Sequence, residues 1–154
     1  LADRHPAVWP TDDAARAWAQ CATAEMHSGF ATLRNDCTMN VGVRVEPHMH
    51  SPALNRDIAR LAELWSEGLA RFGGPFLAGS AFTAVDAFYA PVAFRVRTYG
   101  LDVRPVGQAW VDHMLALPAM QAWEKAALAE TWREDSHEAE IGAAGRIVAD
   151  YRAV

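Results

Sequence analysis

Hydrophobic residues recur every three to four positions along five segments of the chain, whereas no segment alternates convincingly as a strand would. The first predicted helix covers residues 12–37 and the second covers residues 52–72. Three more helices are predicted to begin after Thr83, at Arg104 and at Pro118. The pattern therefore predicts an all-α fold, a bundle of about five helices with a buried central helix.

The third predicted helix is the central one. Residues 87–96 are apolar on nearly every side, so the first amide groups of this helix need partners inside the protein. Thr83 and Asp86 have the spacing of a capping box, with Asp in place of the commoner Glu. A buried carboxylate could also serve as a general acid or base, but capping accounts for Asp86 fully. We interpret Thr83 and Asp86 as a structural pair.

Two stretches lack helical periodicity. Residues 38–51 are predicted to form a long loop, and the polar residues after Trp132 are predicted to wrap the surface. Cys21 and Cys37 fall within the first predicted helix, about 24 Å apart at ~1.5 Å per residue, which is too far for a disulfide. We interpret both cysteines as small buried hydrophobic residues.

Composition narrows the classes of function. The formal net charge of -5 disfavours general nucleic-acid binding, because no basic face is available to neutralise phosphates. The apolar stretches are far shorter than the roughly 20 residues of a membrane span, and no secretory leader opens the chain, so we expect a cytoplasmic protein. His48 and His50 are too few ligands for a closed zinc site, so no metal is expected.

The first ten residues differ from the rest. Leu1 is not a methionine, and the sequence L-A-D-R-H-P-A-V-W-P is typical of the end of a helix followed by a proline-rich connection. We therefore expect residues 1–10 to be the end of a preceding domain and its linker. Residues 11–154 are predicted to form the helical domain.

Four segments resemble glutathione transferases, and they occur in the same order as in that family. The central-helix segment is F-L-A-G-S-A-F-T-A-V-D-A-F-Y-A-P, and the next two helices, R-V-R-T-Y-G and L-A-L-P-A-M-Q-A-W, resemble those of many bacterial members. L-A-D-R-H-P-A-V-W-P is similar to the end of the N-terminal domain with its linker, and A-E-M-H-S-G-F to the first helix of the C-terminal domain. The resemblance covers essentially the whole chain.

The resemblance implies a division of labour between two domains. A thioredoxin-like N-terminal domain holds glutathione, the co-substrate, and carries the Tyr, Ser or Cys that stabilises its thiolate. The helical domain supplies most of the wall for a hydrophobic, electrophilic acceptor, and a homodimer is expected. No catalytic residue is therefore expected in this chain, which alone should not conjugate glutathione. The acceptor-binding positions implied by the resemblance are Met26, His27, Phe30, Phe94, Arg97 and Tyr99.

Two alternatives to conjugation stay open at this point. A glutathione-dependent isomerase or peroxidase could use the same fold. A non-catalytic, transferase-like module for protein contacts could use it as well, because a fold alone does not determine a function.

Overall fold

The computed structural model describes residues 2–153, so Leu1 and Val154, at the ends of the two expected domains, lie outside the described residues. A short 3-10 helix at Pro6–Val8 precedes the main body. In chain order the described elements are α1 (Asp13–Ser28), α2 (Ala31–Asp36), β1 (Val43–Pro47), α3 (Pro52–Phe72), α4 (Ala84–Tyr99), α5 (Arg104–Leu115), α6 (Pro118–Ala129), α7 (Asp135–Ala144) and β2 (Gly145–Asp150). The predicted helical fold class is confirmed.

Helix α3 shows how local signals set the helix ends. The Ser51 side chain accepts a hydrogen bond from the amide of Leu54 at 3.0 Å, and Pro52 occupies the first turn, where no amide is needed. The helix ends at Gly73, whose φ of 85° is a left-handed conformation that glycine adopts without strain. No helix among residues 2–153 is long and apolar enough to cross a membrane.

The prediction of a single helix over residues 12–37 is wrong. Helix α1 ends at Ser28, Phe30 adopts a left-handed conformation with φ of 54°, and α2 begins at Ala31. Arg34 donates to the carbonyl oxygens of Met26 (3.1 Å) and Gly29, which lost their helical partners at the break. The interpretation of both cysteines as buried is wrong for Cys21, which is exposed in α1, and is confirmed for Cys37, which is buried at the end of α2.

The expectation that the chain has no strand is also wrong. β1 lies within the predicted loop and pairs antiparallel with β2, so that Val45 lies opposite Ile147 and Pro47 opposite Gly145. The segment after Trp132, expected to wrap the surface, forms α7 before it enters β2. The apolar–polar alternation of β1, V-R-V-E, covers only four residues, and the partner strand is about a hundred positions away, so the sequence alone does not predict the pair.

Helix α4 forms the centre of the core. It packs against α1, α5 and β1, and ten of its residues are buried. The Tyr89 hydroxyl donates to the carbonyl oxygen of Ala22 at 3.0 Å, and further along α4 the Arg95 Nε donates to that of Cys37 at 2.7 Å. These hydrogen bonds tie α4 to α1 and to the end of α2.

Candidate functional site

The start of α4 is held by Asp86, whose side chain is fully buried. Its Oδ2 accepts the amide of Thr83 at 3.0 Å, and its Oδ1 accepts the amide of Leu77 at 2.9 Å and the indole N–H of Trp110 at 3.2 Å. The capping box between Thr83 and Asp86 is present. Burial raises the pKa of Asp86, while these hydrogen bonds act in the opposite direction. Every partner is a donor within the fold, which leaves this carboxylate no access to a substrate.

Four of the six predicted acceptor-binding residues lie in the hydrophobic core. The exposed fractions are 8% for Met26, 6% for Phe30, 0% for Phe94 and 2% for Tyr99. The Phe30 ring meets Tyr89 edge-on at 6.4 Å, and the Phe94 ring meets Trp123 edge-on at 5.0 Å. These four side chains are therefore part of the core packing, and of the six residues only His27, at the end of α1, is exposed.

The sixth predicted residue, Arg97, is neutralised within the domain. Its Nη2 and Nη1 donate to the two carboxylate oxygens of Glu124 at 2.7 and 3.0 Å, and its guanidinium lies 5.1 Å above the Phe94 ring centroid. A bidentate pair of this kind satisfies the charge and fixes the orientation of the side chain. Arg97 therefore has little charge to offer a ligand.

Tyr99 borders a cavity of about 300 Å³ between the end of α2, the segment after β1, and α7. Its hydroxyl donates to the carbonyl oxygen of Thr38 at 3.0 Å. His48 and His50 line the same cavity, but no group of three metal-ligating side chains occurs among residues 2–153. Burial raises the pKa of the Cys37 thiol, also in this wall, to about 12, so it is not a nucleophile at neutral pH.

One face of α4 is only partly covered by the rest of the domain. We call it the α4 stripe; its residues share one side of the helix at helical spacing and are Ala84, Ala87, Phe88, Pro91 and Arg95. Phe88 is 45% exposed, although it lies next to the fully buried Tyr89. Sequence reasoning missed Phe88 because α4 is apolar nearly all round, so its pattern does not distinguish a covered face from an open one.

Arg95 lies at the far end of the α4 stripe and is partly buried. Its Nε donates to Cys37, and its Nη1 lies 3.4 Å from the carbonyl oxygen of Pro91 and 3.6 Å from the sulfur of Met39. Burial lowers the pKa of this guanidinium, and the positive charge of nearby Arg34 acts in the same direction. The geometry brings together an exposed aromatic ring and a cation on one helix face.

Comparison with known proteins agrees with this architecture. The family model described as "Glutathione S-transferase, C-terminal domain" matches residues 49–126, which include α3, α4, α5 and most of α6. The match contains both the capping box and the α4 stripe. No curated protein matches the sequence. Because the family model covers half of the chain, the chain belongs to the glutathione S-transferase C-terminal domain family.

Proposed function

We propose that this chain is the acceptor-binding domain of a glutathione transferase whose full-length form adds the glutathione thiolate to apolar, electrophilic small molecules. The observation that carries the proposal is the α4 stripe, where Ala87 and Phe88 are exposed on a helix whose other faces are buried. An apolar face left open on a central helix is typical of a surface that meets another domain or a ligand.

The side chains of the chain favour a binding role over a catalytic one. The Cys37 thiol is protonated at neutral pH, and the Asp86 carboxylate is occupied by three N–H donors. In the proposed parent protein, residues 1–10 lead from a thioredoxin-like domain, which holds glutathione and supplies the hydroxyl or thiol that stabilises its thiolate. The thiolate then faces the α4 stripe, where Phe88 offers an aromatic surface to the acceptor.

The six residues implied by the resemblance take different parts in this proposal. His27 is exposed at the end of α1 and can reach a ligand without rearrangement. The four buried residues support the binding surface without contacting the ligand; they are Met26, Phe30, Phe94 and Tyr99. Arg97 acts through the position of Phe94, which its guanidinium covers.

The test uses the full-length protein. We expect retention on glutathione-agarose and conjugation of glutathione to an electrophilic chloronitrobenzene. The Phe88→Ser variant should lower kcat/KM for that acceptor without changing retention on the resin. The matched control is Phe82→Ser, which removes another half-exposed phenylalanine outside the α4 stripe. Failure to bind glutathione would contradict transferase, isomerase and peroxidase activity together and favour a protein-contact module.

Conjugation can be separated from the other glutathione-dependent reactions with the same protein. A product that contains glutathione and lacks the acceptor's leaving group supports the transferase. Oxidised glutathione formed from an organic peroxide, or an isomerised acceptor with no glutathione attached, would overturn the proposed reaction while leaving the glutathione site intact.

We also propose that the parent protein is a homodimer, with α1, α2 and α3 contributing to the contact. Sedimentation of the full-length protein should give twice the mass of one chain. A monomer across the micromolar range would contradict this assembly.

A further inference from the structure

A cavity of about 240 Å³ lies between α6, α7 and the segment that leads into β1. Two tryptophan side chains line it, Trp123 from α6 and Trp132 from the connection between α6 and α7. Met39, Val41 and Ile141 are among its apolar lining residues. We call it the Trp132 cavity, and none of the residues of the α4 stripe lines it.

The two indoles are not fully used by the packing of the domain. Trp123 meets the Phe94 ring edge-on at 5.0 Å and is still 41% exposed. Trp132 is 70% exposed, and no aromatic ring packs against it within residues 2–153. Large apolar side chains that stay in water beside a cavity are typical of a surface that a ligand covers.

The two arginines in the lining are already held by the chain. Arg152 donates to both carboxylate oxygens of Glu138, at 2.7 and 2.9 Å, and also pairs with Asp150. Arg133 donates to backbone carbonyl oxygens, among them that of Ala153 at 2.7 Å. These contacts fix both guanidinium groups and leave Arg152 with two carboxylate partners for its one charge.

Two further glutamates make the lining negative. Oε2 of Glu134 accepts hydrogen bonds from the Ser136 hydroxyl at 2.6 Å and the His137 amide at 2.8 Å, which lower the pKa of this carboxyl and keep it ionised at neutral pH. Glu130 is exposed at the end of α6, and in the described part of the chain no group donates to its carboxylate. The Glu130 carboxylate is therefore available to a ligand.

We propose that the Trp132 cavity binds a small organic ammonium ion, with a methylated nitrogen against the indoles and its positive charge beside Glu130. A cation is attracted to the face of an aromatic ring, and tryptophan gives the strongest attraction of this kind. Methyl groups on the nitrogen fit the apolar lining, and the carboxylate balances the charge. Because drug-sized ligands occupy cavities of about 300–1,000 Å³, this smaller one suits a trimethylammonium group with a short substituent.

The test compares two probes of the same shape in isothermal titration calorimetry of the full-length protein. Choline carries a trimethylammonium group, and 3,3-dimethylbutan-1-ol has a carbon atom in place of the charged nitrogen. Choline should bind at least about fivefold more tightly than the alcohol. Trp132→Leu should weaken choline binding about fivefold and change binding of the alcohol less than about twofold, because leucine keeps an apolar side chain without a ring.

Three further variants separate recognition in the cavity from general effects. Trp132→Phe keeps a ring and should retain a larger share of choline binding than Trp132→Leu. Glu130→Gln should also weaken choline binding and leave the alcohol unaffected. Glu67→Gln is its matched control, because it removes an exposed glutamate from α3 and changes the net charge equally; binding of both probes should be unchanged. All three replaced side chains are exposed, and circular dichroism melting shows that each variant is folded.

Four results would overturn the inference. Choline may show no saturable binding, or the two probes may bind equally well. Unchanged choline affinity in Trp132→Leu would exclude the indole, and an equal loss in Glu67→Gln and Glu130→Gln would reveal only a general charge effect. Each of these results leaves conjugation of glutathione by the same protein untouched, so the ammonium site and the proposed transferase are tested separately.

Discussion

The indole N–H of Trp110 donates to Oδ1 of Asp86 across 3.2 Å, which joins the middle of α5 to the start of α4. The same oxygen accepts the amide of Leu77, from the segment that leads out of α3. One carboxylate therefore connects three parts of the core. Because all of these groups are buried, each donor would be left without a partner if the carboxylate were removed.

Removing the Asp86 carboxylate is expected to destabilise the domain strongly. Asp86→Ala leaves the two amides and the indole N–H unpaired, so we expect the free energy of unfolding to fall by about 3 kcal/mol or more. Urea denaturation followed by circular dichroism measures it. Asp13→Ala is the matched control, because its side chain is 91% exposed and should change stability by less than about 0.5 kcal/mol. Equal midpoints for Asp86→Ala and the wild type would contradict this role.

Two glycine-to-alanine changes should act in opposite directions. In α3, a Cβ on Gly68 would lie 2.5 Å from the carbonyl oxygen of Leu77 and would overlap the Trp18 ring. Overpacking should therefore exceed the gain in helix propensity, with a net loss of about 1–3 kcal/mol. In α7, a Cβ on Gly142 meets nothing within 4 Å, so Gly142→Ala should stabilise by about 0.5–1 kcal/mol. Thermal melting measures the stability of both variants. A higher melting temperature for Gly68→Ala would contradict the close packing of α3 against Trp18.

The two cysteines should differ sharply in reactivity. Cys37 is 2% exposed and its thiol pKa is raised to about 12 by burial, so only about one thiol in ten thousand is ionised at pH 8. Cys21 is exposed. Iodoacetamide at pH 8 should therefore alkylate Cys21 first, as read by mass spectrometry of the digested protein. In denaturant both should react at similar rates, and early labelling of Cys37 in the native protein would contradict its burial.

Arg152 should stabilise the end of the chain. Its Nη1 lies 2.7 Å from a carboxylate oxygen of Glu138 in α7, and its Nη2 lies 2.7 Å from one of Asp150 in β2. The Arg152 side chain is only 12% exposed. We expect Arg152→Gln to lower the free energy of unfolding by about 1 kcal/mol at pH 7. The control Arg146→Gln breaks an ion pair whose arginine is 70% exposed, so its effect should be smaller.

The Arg152 contribution should also depend on pH in a defined direction. Hydrogen bonding to Arg152 lowers the pKa of Asp150 below its ordinary value of 3.8. Because the pKa of Asp150 is lower in the folded protein than in the unfolded chain, the ionised carboxylate stabilises the fold above pH ~4. This stabilisation is lost as the pH falls through the folded-state pKa. The stability difference between wild type and Arg152→Gln should therefore narrow below pH ~4. A difference that widens on acidification would contradict the assignment.

The parts of the fold that the sequence predicts well are those with local signals. Pro52 opens α3, and the Thr83–Asp86 spacing marks the start of α4, because the groups that set these helix ends are a few residues apart. The break at Phe30 has no such signal, since a phenylalanine with positive φ is held there by surrounding packing. The strands depend on a partner about a hundred residues away.

The candidate site was harder to predict for a related reason. Met26 and Phe94 follow the apolar helical period, and the hydrophobic core requires the same period, so the sequence does not separate a core residue from a pocket residue. Whether Phe88 is exposed depends on which neighbours cover α4, which only the assembled structure shows. The sequence also does not show which arginine of α4 is paired. Glu124 forms an ion pair with Arg97, whereas Arg95 donates to the backbone carbonyl oxygen of Cys37.

The pairing of β1 with β2 has a consequence for the order in which the domain forms. Glu46 and Arg146, which pair across the two strands, are one hundred positions apart in the sequence. The chain is synthesised from its N-terminus, so β1 is made long before β2, and its backbone edge has no pairing partner while α3 to α7 are made. We expect the helices to collapse first and the strands to join last, as contacts between distant residues form slowly. The strand pair would then close the domain last, and an unpaired β1 edge is open to pairing with another chain until it does.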